Sequence, residues 1–315
     1  MAKKKRPTKI ERKIRRRVFW NRFLITIIVL GLLALASGTT ILYTIIKSSA
    51  VTLDVSDFKS SQNTLIYDRN GDLITSVGKE NRVNITYDQI PQVVVDAFVS
   101  IEDSRFFEHN GFDVPRFAKS ALVNLRNLNF SQGGSTLTMQ MVKNTYFVTE
   151  TSLAERSIPR KVQEIYLAIK TDKLISKKKI FELYINKINF GGSARGIQTA
   201  SDYYFGKDVS QLTLNEAAIL AGVINGPNKL NPYYYLEACT SRRDDVLYQM
   251  YNHGYITEEE ANLASQVPVE NLLIGLDRSY SSESDSLQSY IDEVLNEVEE
   301  ITGEDPYSTP MRIYT

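Results

Sequence analysis

Three short stretches of this 315-residue sequence set acids, cations and hydroxyls at spacings that chemistry can use. In EDSRFFEHNGFD (102–113), Glu102, Phe106 and His109 stand at i, i+4 and i+7 and would share one face of a helix. A carboxylate beside aromatic rings loses hydration in its charged form, which suits it to general-base work near neutral pH. The same acids on a solvated helix end would have no such role. In GGSTLTMQMVKN (133–144), preceded by Gln132, paired glycines lead into hydroxyls, Gln140 and Lys143. Backbone N–H, hydroxyl and ammonium donors of this kind can hold an anion. The GxxxxGK[ST] spacing of a nucleotide-binding loop is absent, and a turn into a capped helix would explain the same residues. In the third stretch Arg160 and Lys161 precede Glu164 by four and three positions, so cations flank a second carboxylate on one helical face. On an exposed surface such pairs are worth only about 0.2–1 kcal/mol. Two carboxylates in a cationic setting suit transfer of a sugar from a phosphate leaving group. One removes a proton from the attacking hydroxyl, while the cations hold the pyrophosphate and offset its growing charge.

The elements that must position these residues are mostly helical. Two β-type runs flank Arg69-Asn70-Gly71-Asp72, a hairpin signal. From Pro91 onward Val94, Ala97, Phe98 and Ile101 recur at helical spacing, and Asn110-Gly111 supplies a stop. Pro159 predicts a helix start, with Val162, Ile165, Tyr166 and Ile169 as its apolar face. Ser176 reads as the cap of the next helix, which turns Ile180, Leu183 and Tyr184 inward. Lys177 and Lys178 read as exposed cations of that helix. Capping boxes at Thr213/Glu216 and Thr257/Glu260 open two more helices. Residues 279–289 are Ser-rich and acidic, as a linker would be. A last helix follows at about 288–301, and then a β-type run ends the chain with no partner evident. The reading is a mainly α fold with a small β element at its entry.

The formal charge is zero, yet the ends differ sharply: residues 1–17 carry ten Lys and Arg against Glu11, and 256–305 carry fourteen acids against Arg278. Phe23 to Ile46 holds no charge and would extend about 35 Å as a helix, enough to span a bilayer. The cations before it place the N-terminus in the cytoplasm and the remainder outside. The span is longer than a signal peptide's apolar core. A nucleic-acid-binding arm would explain the cations but not the span. Cys239 is the sole cysteine, so intramolecular disulfides and cysteine-based metal sites are excluded, and with His109 and His253 the only histidines a zinc site would have to lean on carboxylates.

Together the stretches are specific. The region from about 60 to 265 resembles the glycosyltransferase domain of class A penicillin-binding proteins, glycosyltransferase family 51, on five ordered motifs. These are EDSRFFEHNGFD, GGSTLTMQMVKN, RKVQEIYLAIKTDKLISKKKIFELYINKINFG, ARGIQTASDYYFGK and LTLNEAAILAGVINGPNKLNP. The resemblance implies a lysozyme-like fold and lipid II as substrate. By matching positions, Glu102 would be the base toward the acceptor's 4-hydroxyl, and Glu164 the second essential carboxylate, near the donor's diphosphate. Ser135, Gln140, Lys143, Arg160 and Lys161 would be donor contacts, with Asp103, His109 and Asn144 in support. The family also implies assistance by a divalent ion such as Mg2+ and no organic cofactor. Partners would be the growing glycan strand, membrane lipid and the cell-wall synthesis machinery, with no nucleic acid. Met139 stands where many members have a glutamine, with little loss expected, and extra residues around Thr149–Ala154 lengthen a loop between motifs.

The expected organisation is a basic tail (1–22), an anchor (23–46), a linker (47–62), the glycosyltransferase domain (63–265) and an acidic linker (266–315) toward a transpeptidase that this sequence does not contain. The Ser-x-x-Lys of Ser176 to Lys179 has no Ser-x-Asn or Lys-Thr-Gly after it and reads as a helix cap. Two other functions compete. A lytic enzyme of lysozyme-like fold would also use two carboxylates, and a non-catalytic membrane scaffold would need neither.

Overall fold

A computed structural model describes residues 9–47, 51–58, 64–71, 73–77, 83–127, 133–147, 157–191, 194–274, 283–303 and 311–315. Gln132, Asp72, the Thr149–Ala154 loop and residues 279–282 of the Ser-rich stretch lie outside them. In chain order the elements are α1 (Lys9–Lys47), β1 (Thr64–Tyr67), β2 (Leu73–Val77), α2 (Gln92–Glu102), α3 (Val114–Asn127), α4 (Leu137–Tyr146) and α5 (Ile158–Leu174). They continue with α6 (Lys177–Ile185), α7 (Ile197–Phe205), α8 (Leu214–Val223), α9 (Leu236–Asn252), α10 (Glu258–Ser265), α11 (Glu283–Thr302) and β3 (Arg312–Tyr314). The chain divides into two compact units: Met1–Thr52 with Glu155–Tyr166, and Leu53–Ala154 with Leu167–Thr315.

In the first unit α1 starts earlier than the expected anchor and takes in much of the basic tail. Its apolar side chains are exposed on every side, Leu24 at 59% and Leu32 at 60%, as a helix solvated by lipid requires. The hydroxyls of Thr26, Ser37, Thr39, Thr40 and Thr44 each donate to a carbonyl three or four residues back, at 2.8–2.9 Å. None of these five hydroxyls therefore needs water as its acceptor. Phe19, Trp20 and Phe23 cluster at the basic end, with Trp20 and Phe23 edge to face at 5.7 Å, where an aromatic belt belongs.

The second unit is built around α8, whose residues from Glu216 to Val223 are all buried. An apolar helix of this kind must be enclosed; here it packs against α2, α9, α7 and α10. Each fully buried Ile, Leu or Val contributes about 1.5–3 kcal/mol. Both predicted capping boxes form: Glu216 accepts from Thr213 N at 2.8 Å and Glu260 from Thr257 N at 2.8 Å. Arg243 of α9, 1% exposed, donates to Asn215 Oδ1 and to the carbonyls of Val267 and Ser265 at 2.9–3.2 Å. It ties the start of α8 to the end of α10. Phe98, Phe106, Phe181 and Phe190 form an aromatic core, with ring centroids 6.1–6.4 Å apart.

The hairpin forms as predicted, β1 antiparallel to β2, with Asp68 Oδ1 accepting from Asn70 N at 2.8 Å and Gly71 at φ +86°. The terminal β-type run is not partnerless: β3 lies parallel to β1, giving the order β2-β1-β3. Ile291, Val294 and Leu295 of α11 bury against Ile66 and Ile313. The pairing joins residues about 250 positions apart, beyond the reach of local pattern. The last helix also begins at Glu283 instead of about 288, so part of the expected linker is helical.

The face of α5 also differs from expectation. Val162, Ile165, Tyr166 and Ile169 are only half-buried, while Glu164, Leu167, Ala168 and Thr171 are buried. Gly111, at φ +81°, fits so closely that a Cβ there would stand 2.4 Å from the Ala168 carbonyl oxygen. That approach turns the Ala168 side of the helix inward, against the bulkier apolar residues that periodicity favours.

Candidate active site

In the second unit the site grows from the end of α2. The helix does not continue through Phe106 to His109 as the spacing suggests: it ends at Glu102, and Asp103 leaves it at φ −158°, ψ 72°. The cause is the fully buried Asp103 carboxylate. It accepts from Leu137 N at 3.0 Å and from His109 Nε2 at 2.9 Å, and Arg116 approaches at 3.8 Å. Leu137 opens α4, so an anion sits on a helix N-terminus whose free N–H groups favour negative charge. Thr136 caps the same helix, accepting from Met139 N at 3.2 Å and donating to Gly111 O at 2.7 Å. His109 and Phe106 still meet, at 6.3 Å between ring centroids, but through a turn, and His109 serves Asp103 and not Glu102.

Glu102 is half-buried. Its Oε2 accepts from Gln140 Nε2 at 2.6 Å, and Gln140 Oε1 accepts from the Tyr184 hydroxyl at 3.3 Å. Gln140, expected as a donor contact, is thus the direct partner of the expected base. Ser135 precedes the Thr136 cap, while Lys143 and Asn144 follow Gln140 on α4 at i+3 and i+4, one helical face. Met139 is 1% exposed, so this departure from the family pattern lies in the core. A cleft of about 320 Å³ runs beside this region, lined by Arg105, Glu108, His109, Asn110, Phe112 and Asp113 among others. Its wall is set by a two-pronged ion pair between Arg105 and Asp113. Burial pushes the Asp113 carboxyl up, but the Arg105 guanidinium and the Arg116 amide more than offset this and hold it below the usual range.

In the first unit, Arg160, Lys161 and Glu164 meet on the opening turns of α5. Glu164 is 1% exposed, so the exposed-pair reading does not apply. Lys161 Nζ binds Oε2 at 2.9 Å, and Arg160 Nε lies 3.3 Å from Oε1. The second approach is off the hydrogen-bonding angle, leaving Arg160 Nε and Glu164 Oε1 buried without a hydrogen bond. Two cations thus meet one buried carboxylate.

Two residues fall where the sequence reading did not put them. Lys177 is not an exposed cation: its Nζ binds Asp172 Oδ2 at 2.6 Å and lies 4.6 Å from the Phe106 ring centroid. Asp172 and Phe106, five and seventy-one residues away, supply the attraction. Tyr184 reads from spacing as core only, and a hydroxyl on an apolar helix face was the sole sign of more. Lys178 is exposed, as expected. For a divalent ion, no group of three His, Cys, Asp or Glu side chains converges among the described residues. Glu164 already faces two cations. These side chains do not make a metal-binding set of their own, and no step is routed through a metal.

Residues 70–251 match the transglycosylase family. The chain is 40% identical to penicillin-binding protein 1A of Streptococcus pneumoniae (strain ATCC BAA-255 / R6) over 288 residues, covering 91% of this chain and 39% of that protein. It is 35% identical to penicillin-binding protein 1A/1B of Bacillus subtilis (strain 168), covering 94% and 32%. A crystal structure of penicillin-binding protein 1A from Haemophilus influenzae aligns at TM-score 0.43 and 24% identity, covering 82% of this chain and 27% of that one. The chain thus spans about a third to two fifths of the length of the Streptococcus pneumoniae and Bacillus subtilis relatives. On the match across its α2–α9 region, the chain belongs to the transglycosylase family.

Proposed function

We propose that this chain polymerises lipid II into β-1,4-linked peptidoglycan strands, with inversion at the donor's anomeric carbon and undecaprenyl diphosphate as leaving group. One observation carries the reading: of two carboxylates, Glu102 is met by a neutral amide and Glu164 by two cations. Glu102 removes the proton from the acceptor's 4-hydroxyl, and that oxygen forms the new bond to the donor's anomeric carbon. The bond from that carbon to the diphosphate oxygen breaks on the opposite side, and the electron pair leaves with the diphosphate. Arg160 and Lys161 stabilise the charge that grows there, with Glu164 holding both cations in place. Ser135 and Lys143 supply donor contacts with Asn144 in support, Gln140 holds Glu102, and Asp103 with His109 fixes the turn after Glu102.

The catalytic region takes in about residues 63–265. The apolar α1 crosses the membrane once, its cationic start in the cytoplasm and the catalytic region outside. Lipid II, the growing strand and bilayer lipid are then within reach, and the cell-wall synthesis machinery supplies the protein partners. A lytic enzyme would have no diphosphate leaving group to employ the α5 cations. The test is product analysis of the full chain in detergent or liposomes: polymer from lipid II supports the proposal, and soluble fragments from finished wall overturn it.

A further inference from the structure

Tyr184 sits on α6 at 1% exposure, and its hydroxyl opens a chain of two hydrogen bonds that ends on Glu102. Every link has a forced direction. A carboxylate only accepts, so Gln140 must turn its NH2 end toward Glu102 and its carbonyl oxygen away. That oxygen then needs a donor, and the Tyr184 hydroxyl, 3.3 Å away, provides it. Burial first, and then the negative charges of Glu102 and Asp103, push the Tyr184 pKa well above its ordinary value. The phenol therefore keeps its proton through the neutral range and remains a donor. A neutral amide restrains Oε2 without placing a full positive charge against the carboxylate.

We propose that Tyr184 is a positioning residue for the transfer step, fixing the Gln140 amide so that Glu102 is held by Oε2 and presents Oε1 to the acceptor hydroxyl. The inference rests on the reading of Glu102 as base. Without the phenol hydroxyl, the half-buried Gln140 carbonyl oxygen loses its donor, and the amide gains by swinging toward water. Glu102 then loses its restraint and samples orientations that cannot take the proton.

Tyr184→Phe keeps the ring and removes the hydroxyl. With the full chain and lipid II, the variant is expected to lose about two- to tenfold in kcat, the scale of one neutral hydrogen bond, with KM little changed. Combined with Gln140→Ala, it should cost no more than Gln140→Ala alone, because both act through one contact. Wild-type kcat in Tyr184→Phe, or losses that multiply in the double variant, would overturn the proposal. If the Phe variant does not fold, Gln140→Leu carries the test. A fall in kcat at constant KM supports positioning, and a rise in KM at constant kcat overturns it. A crystal structure of Tyr184→Phe decides the relay without any turnover. The proposal expects the Gln140 amide withdrawn from Glu102, and an amide still in place refutes it. Absence of polymer from the wild-type chain would instead refute the proposed function, and the structural comparison would still judge the relay.

Discussion

Glu102 and Glu164 are the same side chain in opposite surroundings, one met by a neutral amide and the other by two cations, and the proposed division between base and leaving-group stabilisation rests on that difference. Glu102→Gln keeps the shape and removes the base, so lipid II polymerisation should fall by at least about 10²–10⁴-fold with the melting temperature retained. Substituting Lys143, Arg160 or Lys161 by Ala removes a charge-assisted hydrogen bond worth about 1.5–3 kcal/mol. That is roughly ten- to 150-fold, appearing mainly in kcat because charge on the diphosphate grows toward the transition state. Lys178→Ala is the proper control, since Lys178 is exposed; Lys177 is not, because Asp172 and the Phe106 face hold it. Equal, small losses in all four variants would mean that these cations only tune a surface field. At this scale residue type and spacing draw attention to Glu102, Gln140 and the Arg160–Glu164 trio, and the family resemblance assigns them roles. The role of Asp103 is not, because its partner Leu137 lies 34 residues away and nothing in local spacing reports that contact.

The helices depend on a few unforgiving joints. Gly111 tolerates no side chain: its positive φ and its approach to Ala168 mean that Gly111→Ala should destabilise the chain by about 1–3 kcal/mol or more, measured by denaturant unfolding. Arg243→Ala strands Asn215 and two carbonyls, at a cost of about 1–3 kcal/mol for each group left unsatisfied. The Arg105–Asp113 clasp makes the cleft wall acid-sensitive. Asp113 has a lowered pKa in the fold, so its stabilisation is complete above the ordinary aspartate value of 3.8 and is lost as pH falls below it. Asp113→Asn should flatten that acid limb in an unfolding titration, and an unchanged limb would exclude the clasp. Capping boxes, the hairpin and the enclosed α8 all follow from local pattern. The end of α2 and the inward face of α5 do not, because a buried carboxylate and a glycine contact override periodicity there.

Across the whole molecule, an apolar helix stands ready for lipid, a helical body carries the expected base, and β3 closes a small sheet with the entry hairpin through a pairing no local signal announces. The sequence holds no Lys-Thr-Gly, and Ser176, which opens a Ser-x-x-Lys, is occupied as the cap of α6, accepting from Lys179 N at 3.3 Å. A labelled β-lactam should therefore leave this chain unmodified, and a stoichiometric adduct in mass spectrometry would contradict that. The decisive measurement is polymerisation of purified lipid II by the full chain, side by side with Glu102→Gln. Long glycan strands from the wild type and none from the folded variant are expected. No polymer from the wild type, or a variant within about tenfold of it where general-base catalysis is worth far more, would show that Glu102 is not the base of a glycosyl transfer.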